Sequence, residues 1–301
     1  MSQDSLLSSI PFTPLRMDPI TIREPVFLLG QAFNQGAEEI SLSWMELGIA
    51  STLLVINMLV SLCLQLGLAK QLITSSFRMV IQLTLLGLVL KQIFETTMMS
   101  PVFLLAGFMT VVAGFTAVRR INTRYRSIYS TAIFSIWISS WLVTGVTLLA
   151  ILRPEPWYRP SVLIPMLGMV LGNSLTGISL GLERFISELK QNREQIEGLL
   201  CLGATRWESC RDLMRRAARA AMTPILNTMS VAGIVSIPGM MTGQLLAGAD
   251  PMQAVAYQIM IMFVIAASIA LGTILALSLT YRKVTSPYHQ IEWKNLRARE
   301  N

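Results

Sequence analysis

The sequence predicts an all-α polytopic membrane protein with about seven transmembrane helices. Three observations carry this: a strongly apolar composition, hydrophobic segments long enough to cross a bilayer, and basic residues that recur in alternate connections. Of 301 residues, 53% are hydrophobic and 14% charged, against about 25% charged in an ordinary globular chain. The mean hydropathy is +0.56. A net charge of +7 raises the question of nucleic acid, but the charges lie between apolar segments, as membrane anchors do. Nucleic-acid binding is not expected.

About 20 apolar residues span the hydrocarbon core as a helix. Segments of that kind lie near Met45–Leu68, Phe77–Phe94, Pro101–Val118, Ile128–Leu152, Ser161–Leu182, Ala221–Leu246 and Pro251–Tyr281. The second carries Arg78 and Lys91 close to its ends, where long side chains snorkel to the interface. Orientation follows from the connections. Lys70 lies in the first, Arg119, Arg120, Arg124 and Arg126 in the third, Lys190, Arg193, Arg206, Arg211, Arg215, Arg216 and Arg219 in the fifth, and Arg282 and Lys283 open the tail. With seven spans all four regions share one side, which the positive-inside rule makes cytoplasmic. The N-terminus is then outside and the C-terminus cytoplasmic. Residues 1–44 form an N-terminal extension, flexible or interfacial, with Pro11, Pro14, Pro19 and Pro25 and a short helix near Val26–Phe33. Residues 45–283 form the transmembrane domain, with a cytoplasmic loop at 183–220, and 284–301 form a cytoplasmic tail.

Enzyme chemistry finds little support. There is no G-x-x-x-x-G-K-[ST] phosphate loop and no H-E-x-x-H. The three cysteines, Cys63, Cys201 and Cys210, and the single histidine, His289, fit no zinc spacing. No metal ligand set and no cofactor bound by this chain are expected. Ion-coupled carriers place ionisable groups in the bilayer. The last three spans instead hold amides, namely Asn173, Asn227, Gln244 and Gln258. Such amides line a path or bind neighbouring helices. A driver outside the chain fits this pattern.

The loop at 183–220 supplies a place for that driver. Leu182, Phe185, Ile186, Leu189, Ile196, Leu199 and Leu200 recur at helical spacing, giving an amphipathic helix. Gly203 interrupts it, and Arg211, Arg215 and Arg219 follow four apart on one face. A helix, a break and a second helix form a shape that docks on a partner. A plain basic anchor explains the arginines but not the apolar stripe. In the sixth segment, Pro238 removes a backbone donor and Gly239 and Gly243 admit unusual dihedrals, so a bend is expected there. Met240 and Met241 add thioethers beside it, which suit soft ions or simply pack.

Several motifs carry a family resemblance. Glu197-Gly-Leu-Leu-Cys-Leu-Gly203 keeps the Glu and Gly spacing of the loop by which ABC-transporter permeases engage their ATPase, without its paired alanines or its later Leu-Pro. The run Ser236-Ile-Pro-Gly-Met-Met-Thr-Gly243 is followed by Gly248-Ala-Asp-Pro251 and Tyr257-Gln-Ile-Met260. Leu202-Gly-Ala-Thr205 and Gly168-Met-Val-Leu-Gly-Asn173 precede it. Together they resemble the bacterial iron-export ABC transporter permease family, which also includes plant membrane subunits tied to aluminium sensitivity. The resemblance covers roughly residues 45–290.

It implies a plasma-membrane permease subunit, a homodimer in the bilayer, paired with a separate ATP-binding subunit that holds the ATP and exporting a metal such as iron. Glu197, Gly203, Ala204, Thr205 and Arg206 are then the coupling residues. Asn173, Asn227, Pro238, Gly239, Met240, Met241, Gly243 and Gln258 are the translocation path or hinge. The other reading is a non-transporting scaffold or receptor that recruits a cytoplasmic partner through the basic loop.

Overall fold

A computed structural model describes residues 43–301 apart from 96–97, 126, 287, 289, 292, 294–296 and 299–301. The expected extension helix near 26–33, together with Arg126 and His289, lies outside the described residues. Nine α-helices are described: α1 (Trp44–Cys63), α2 (Ala69–Glu95), α3 (Met99–Arg119), α4 (Ile128–Val146), α5 (Pro160–Gln191), α6 (Arg193–Cys201), α7 (Arg206–Val231), α8 (Gly239–Leu246) and α9 (Pro251–Val284). A π-helical turn, Thr147–Leu152, extends α4. A two-residue antiparallel ladder pairs β1 (Thr123–Arg124) with β2 (Arg297–Ala298).

Local chemistry sets the helix starts. Ser43 opens α1, its N–H donating to the Glu46 carboxylate at 2.8 Å. Asp250 caps α9 by accepting from the Gln253 N–H at 2.9 Å. Pro160 and Pro251 occupy the first positions of α5 and α9, where the missing N–H leaves no bond unmade.

The expectation of an all-helical membrane protein holds, with one correction to how it is divided. Among the described residues, six helices are long and apolar enough to cross a membrane. The segment expected at 221–246 is not one helix. Helix α7 begins far earlier, at Arg206, and stops at Val231. Residues 232–238 then turn, with Gly233 at φ +82°, and α8 begins at Gly239. Pro238 acts as the expected bend implied, since it cannot donate to a continuing helix. The left-handed turn, however, is made at Gly233, while Gly239 and Gly243, expected to take unusual dihedrals, lie within α8 without a positive φ. Between Ala217 and Val231, α7 rises only about 22 Å, short of the roughly 30 Å hydrocarbon core.

Helix α5 lies at the centre of the bundle. Gly177 faces Ile269 of α9 and the Ala221 carbonyl of α7, and Gly181 faces Thr273 and Ala217. These pairings make α5 parallel to α9 and antiparallel to α7. An added methyl at Gly177 would lie 2.5 Å from the Ile269 Cγ2, so only glycine allows this approach. Helices α3 and α4 are antiparallel, with Gly114 against Ile133 and Trp141 donating to Thr110 at 3.1 Å. Alternating directions bring the basic connections to one end. There Asn122 reaches Glu183, Tyr125 reaches Thr280 and Arg206 reaches Ser286.

Helices α1 and α2 stand apart. Their apolar windows are 6% and 0% buried, against 39–50% for the other four spans. Apolar side chains on all faces are stable only in lipid or against another chain.

Candidate functional site

At the basic end, α5, α6 and α7 form a helix–turn–helix unit. Five residues of the predicted stripe face inward, Leu182, Phe185, Ile186, Leu189 and Ile196 being buried, whereas Leu199 is exposed and Leu200 half-buried. Helix α6 ends in a Schellman turn, the Ala204 N–H donating to the Leu199 carbonyl at 3.0 Å and the Gly203 N–H to Leu200 at 3.1 Å. Gly203 sits at φ +89°, a left-handed conformation that glycine adopts at little cost. Thr205 then starts α7. Its hydroxyl accepts from the Glu208 N–H at 3.3 Å, and the Glu208 carboxylate accepts from the Thr205 N–H at 2.8 Å. The Thr205 N–H and the Thr205 hydroxyl, both donating to the Glu208 carboxylate, hold that carboxyl below its usual value.

Of the expected coupling residues, Gly203, Ala204 and Thr205 thus build the turn. Glu197 pairs with Arg193 at 2.9 Å on the surface of α6. The Arg193 guanidinium also lies over the Trp293 ring at 5.0 Å. Arg206 donates to the Ser286 carbonyl at 3.2 Å and lies 5.8 Å from the centre of the Tyr281 ring. The tip of the turn is apolar: Leu202 is 86% exposed, and Trp207 beside it is also exposed.

Sequence reasoning missed the residue that fastens this unit. Glu188 is 4% exposed. Its carboxylate accepts from Arg184 at 2.6 Å, one turn earlier in α5, and from Arg216 of α7 at 2.7 Å. A glutamate on the buried face of an otherwise apolar stripe was the available signal. Its second partner comes from a distant segment that no local pattern reveals. Below it lies a polar cleft of about 440 Å³ lined by Glu188, Asn192, Glu208, Asp212 and Arg216 among others. Cys210 nearby is fully buried, and burial pushes its thiol up to about 11, which makes it unreactive.

At the opposite end, the turn at 232–238 and α8 cover the outer part of α5 and α9. The Gly233 N–H donates to the Ser236 carbonyl at 2.9 Å, while Ile234 and Val235 are exposed. A cavity of about 340 Å³ opens beneath α8. Met166 and Met169 of α5, Met240 and Gln244 of α8, and Tyr257 and Met260 of α9 line it together with the exposed Arg159. The Gln244 Oε1 is buried with no hydrogen-bond partner in the structure, as is the Oε1 of Gln258 on α9.

The expected path residues therefore separate. Met240 lines the cavity, and Pro238 caps α8, with Gly239 as its first residue. Met241 is half-buried and Gly243 exposed, and neither lines the cavity. Gln258 is buried beside α8 but outside the lining. Asn173 is exposed and donates to the Met169 carbonyl of its own helix at 2.8 Å. Asn227 is exposed on α7. It closes a ladder of exposed polar residues four apart, Arg211, Arg215, Arg219, Thr223 and Asn227, which runs from the basic end up one face of the helix. Among the described residues, no group of three or more His, Cys, Asp or Glu is placed to hold a metal ion.

Comparisons with known proteins agree with this architecture. The model of the Uncharacterised protein family (UPF0014) matches residues 44–285. A UPF0014 membrane protein of Synechocystis sp. is 37% identical over 252 residues, 84% of this chain and 97% of that protein. The probable iron export permease protein FetB of Escherichia coli is 35% identical over 248 residues, 82% of this chain and 93% of FetB. Protein ALUMINUM SENSITIVE 3 of Arabidopsis thaliana is 28% identical over 245 residues, covering 81% and 88% of the two chains. No solved structure matches the chain. The chain belongs to the UPF0014 family and is a multi-pass membrane protein.

Proposed function

We propose that this UPF0014 member is the plasma-membrane permease subunit of an ABC-type metal exporter, driven by ATP hydrolysis on a separate subunit. One observation carries the coupling role: the exposed Leu202 at the tip of a rigid helix–turn–helix, set among charged residues. A large apolar side chain held in water by a cap on each side is costly unless another protein covers it. The name of the Escherichia coli relative, a probable iron export permease, supports the transport reading and iron as a cargo.

A homodimer fits the same reading. The polar ladder ending in Thr223 and Asn227 climbs a face that the chain leaves uncovered. Amides and hydroxyls at that depth need protein or water, not hydrocarbon. A second copy across this face encloses a polar route.

Co-purification with an ATP-binding subunit and nucleotide-driven metal flux in vesicles test the proposal. Glu197→Arg and Gly203→Pro are expected to abolish transport-linked ATPase activity while the chain still inserts. Full activity in both variants defeats the coupling assignment. A partner that binds firmly while no flux accompanies hydrolysis is the result expected of a scaffold instead.

A further inference from the structure

The cavity beneath α8 has a donor set of its own. Four methionine side chains from three helices, Met166, Met169, Met240 and Met260, line one space of about 340 Å³. Met166 is 4% exposed, and the other three are half-buried. Gln244 lines the same space, and its carbonyl oxygen is shut from solvent without a hydrogen-bond donor. A buried acceptor with no partner is uncommon in a folded chain. Packing alone explains methionines, which fill irregular gaps, but it does not explain an amide oxygen left empty among them.

The chemistry of these groups restricts what fits. Thioethers are soft donors that select ions such as Cu(I) over hard cations. Every named donor is neutral, so an entering ion keeps its whole charge in a low-dielectric setting with no countercharge. The cost of that rises with the square of the charge, which favours a monovalent ion over Fe(III) or Al(III). Arg159, another residue of the lining, adds a repulsion that grows with ionic charge. Carboxylates, the usual ligands of hard cations, are missing from the lining.

We infer that this cavity is a thioether site for a soft monovalent cation, Cu(I) or its mimic Ag(I). As a station on an export route it rests on the permease reading; as a binding site it does not.

The test is titration of the purified full-length protein with silver nitrate in chloride-free detergent buffer, followed by calorimetry. Cys63 and Cys201 are replaced by alanine, because exposed thiols capture silver. Cys210 is retained, since it is fully buried in the core. Saturable binding near one ion per chain is expected. Met240→Leu with Met260→Leu should weaken it at least tenfold, and Gln244→Leu severalfold. Leucine nearly conserves the volume of methionine, so the thermal midpoint should stay within a few degrees. Absence of saturable binding overturns the inference, and so does binding that the double leucine variant leaves unchanged. Should that variant fail to fold, Met166→Leu and Met169→Leu are read singly by the same criterion. Silver bound without nucleotide-driven flux leaves the site standing and the permease reading fallen; nucleotide-driven iron flux without silver binding does the reverse.

Discussion

The two ends of the bundle satisfy their polar groups in opposite ways. At the basic end, the buried Glu188 carboxylate meets two guanidinium groups, Glu183 accepts twice from Asn122, and Tyr125 meets Thr280 at 2.9 Å. Burial raises the Tyr125 phenol above its ordinary value, which keeps it a neutral hydrogen-bonding group. At the other end, the amide oxygens of Gln244 and Gln258 are buried without partners, beside a cavity and an exposed turn. Helices α5, α7 and α9 run through both ends. A network with every charge met resists rearrangement, because each alternative leaves a buried charge unpaired. An amide with an unmet oxygen loses nothing by moving. The permease reading proposed above then assigns force transmission to the basic end and a change of shape or a ligand to the methionine end.

Substitutions break or sharpen this contrast. Glu188→Ala leaves Arg216 without its buried acceptor and should cost about 2–3 kcal/mol, read by denaturant unfolding in detergent. A change below about 0.5 kcal/mol would remove the clamp from the account. Gly114→Ala, just inside the same end, sets a methyl 2.9 Å from the Ile133 Cα. Overpacking of this kind costs about 1–2 kcal/mol, and a thermal midpoint equal to wild type would show that α3 and α4 separate freely. Thr205→Ala removes the cap of α7, at about 1 kcal/mol. The Glu208 carboxylate lies below its ordinary value of 4.5, so its share of the cap is whole above that pH and is lost as pH falls through the folded value. The gap between wild type and Thr205→Ala should narrow below pH 4.5; a constant gap counts against Glu208. The smallest effect belongs to the other end. Gln258→Leu removes a buried oxygen that bonds to nothing, so stability should hold or rise by less than about 1 kcal/mol. A clear loss would mean that the amide has a partner there after all.

Much of the fold is legible in the sequence because apolar length is a local property. Helix α9 and the alternation of basic connections follow from residues read one segment at a time. The amphipathic stripe through Leu182, Phe185, Ile186, Leu189 and Ile196 is legible too, since 3.6-residue spacing marks the inward face. The stretch 221–246 misleads for a related reason. Its residues stay apolar across the turn at 232–238, and apolarity alone does not distinguish one helix from two pieces. Of the candidate site, Met240, Pro238 and Gly239 were readable from the bend. Met166 and Met169 were not, because they lie on α5 and resemble ordinary packing until α8 folds over them.

The sequence by itself determined which segments are helices and where they break. Apolar runs, Ser43, Thr205 and Asp250 as caps, and Gly203, Gly233 and Pro238 as stops all act within a few residues of themselves. The tertiary structure alone decided which polar groups are met and where space remains. Glu188 finds Arg216, Gln244 finds nothing, and four methionines share a cavity, because these outcomes depend on the register and closeness of helices far apart in the chain. The glycines at 177 and 181 set that closeness, and no local pattern states which helix will lie against them.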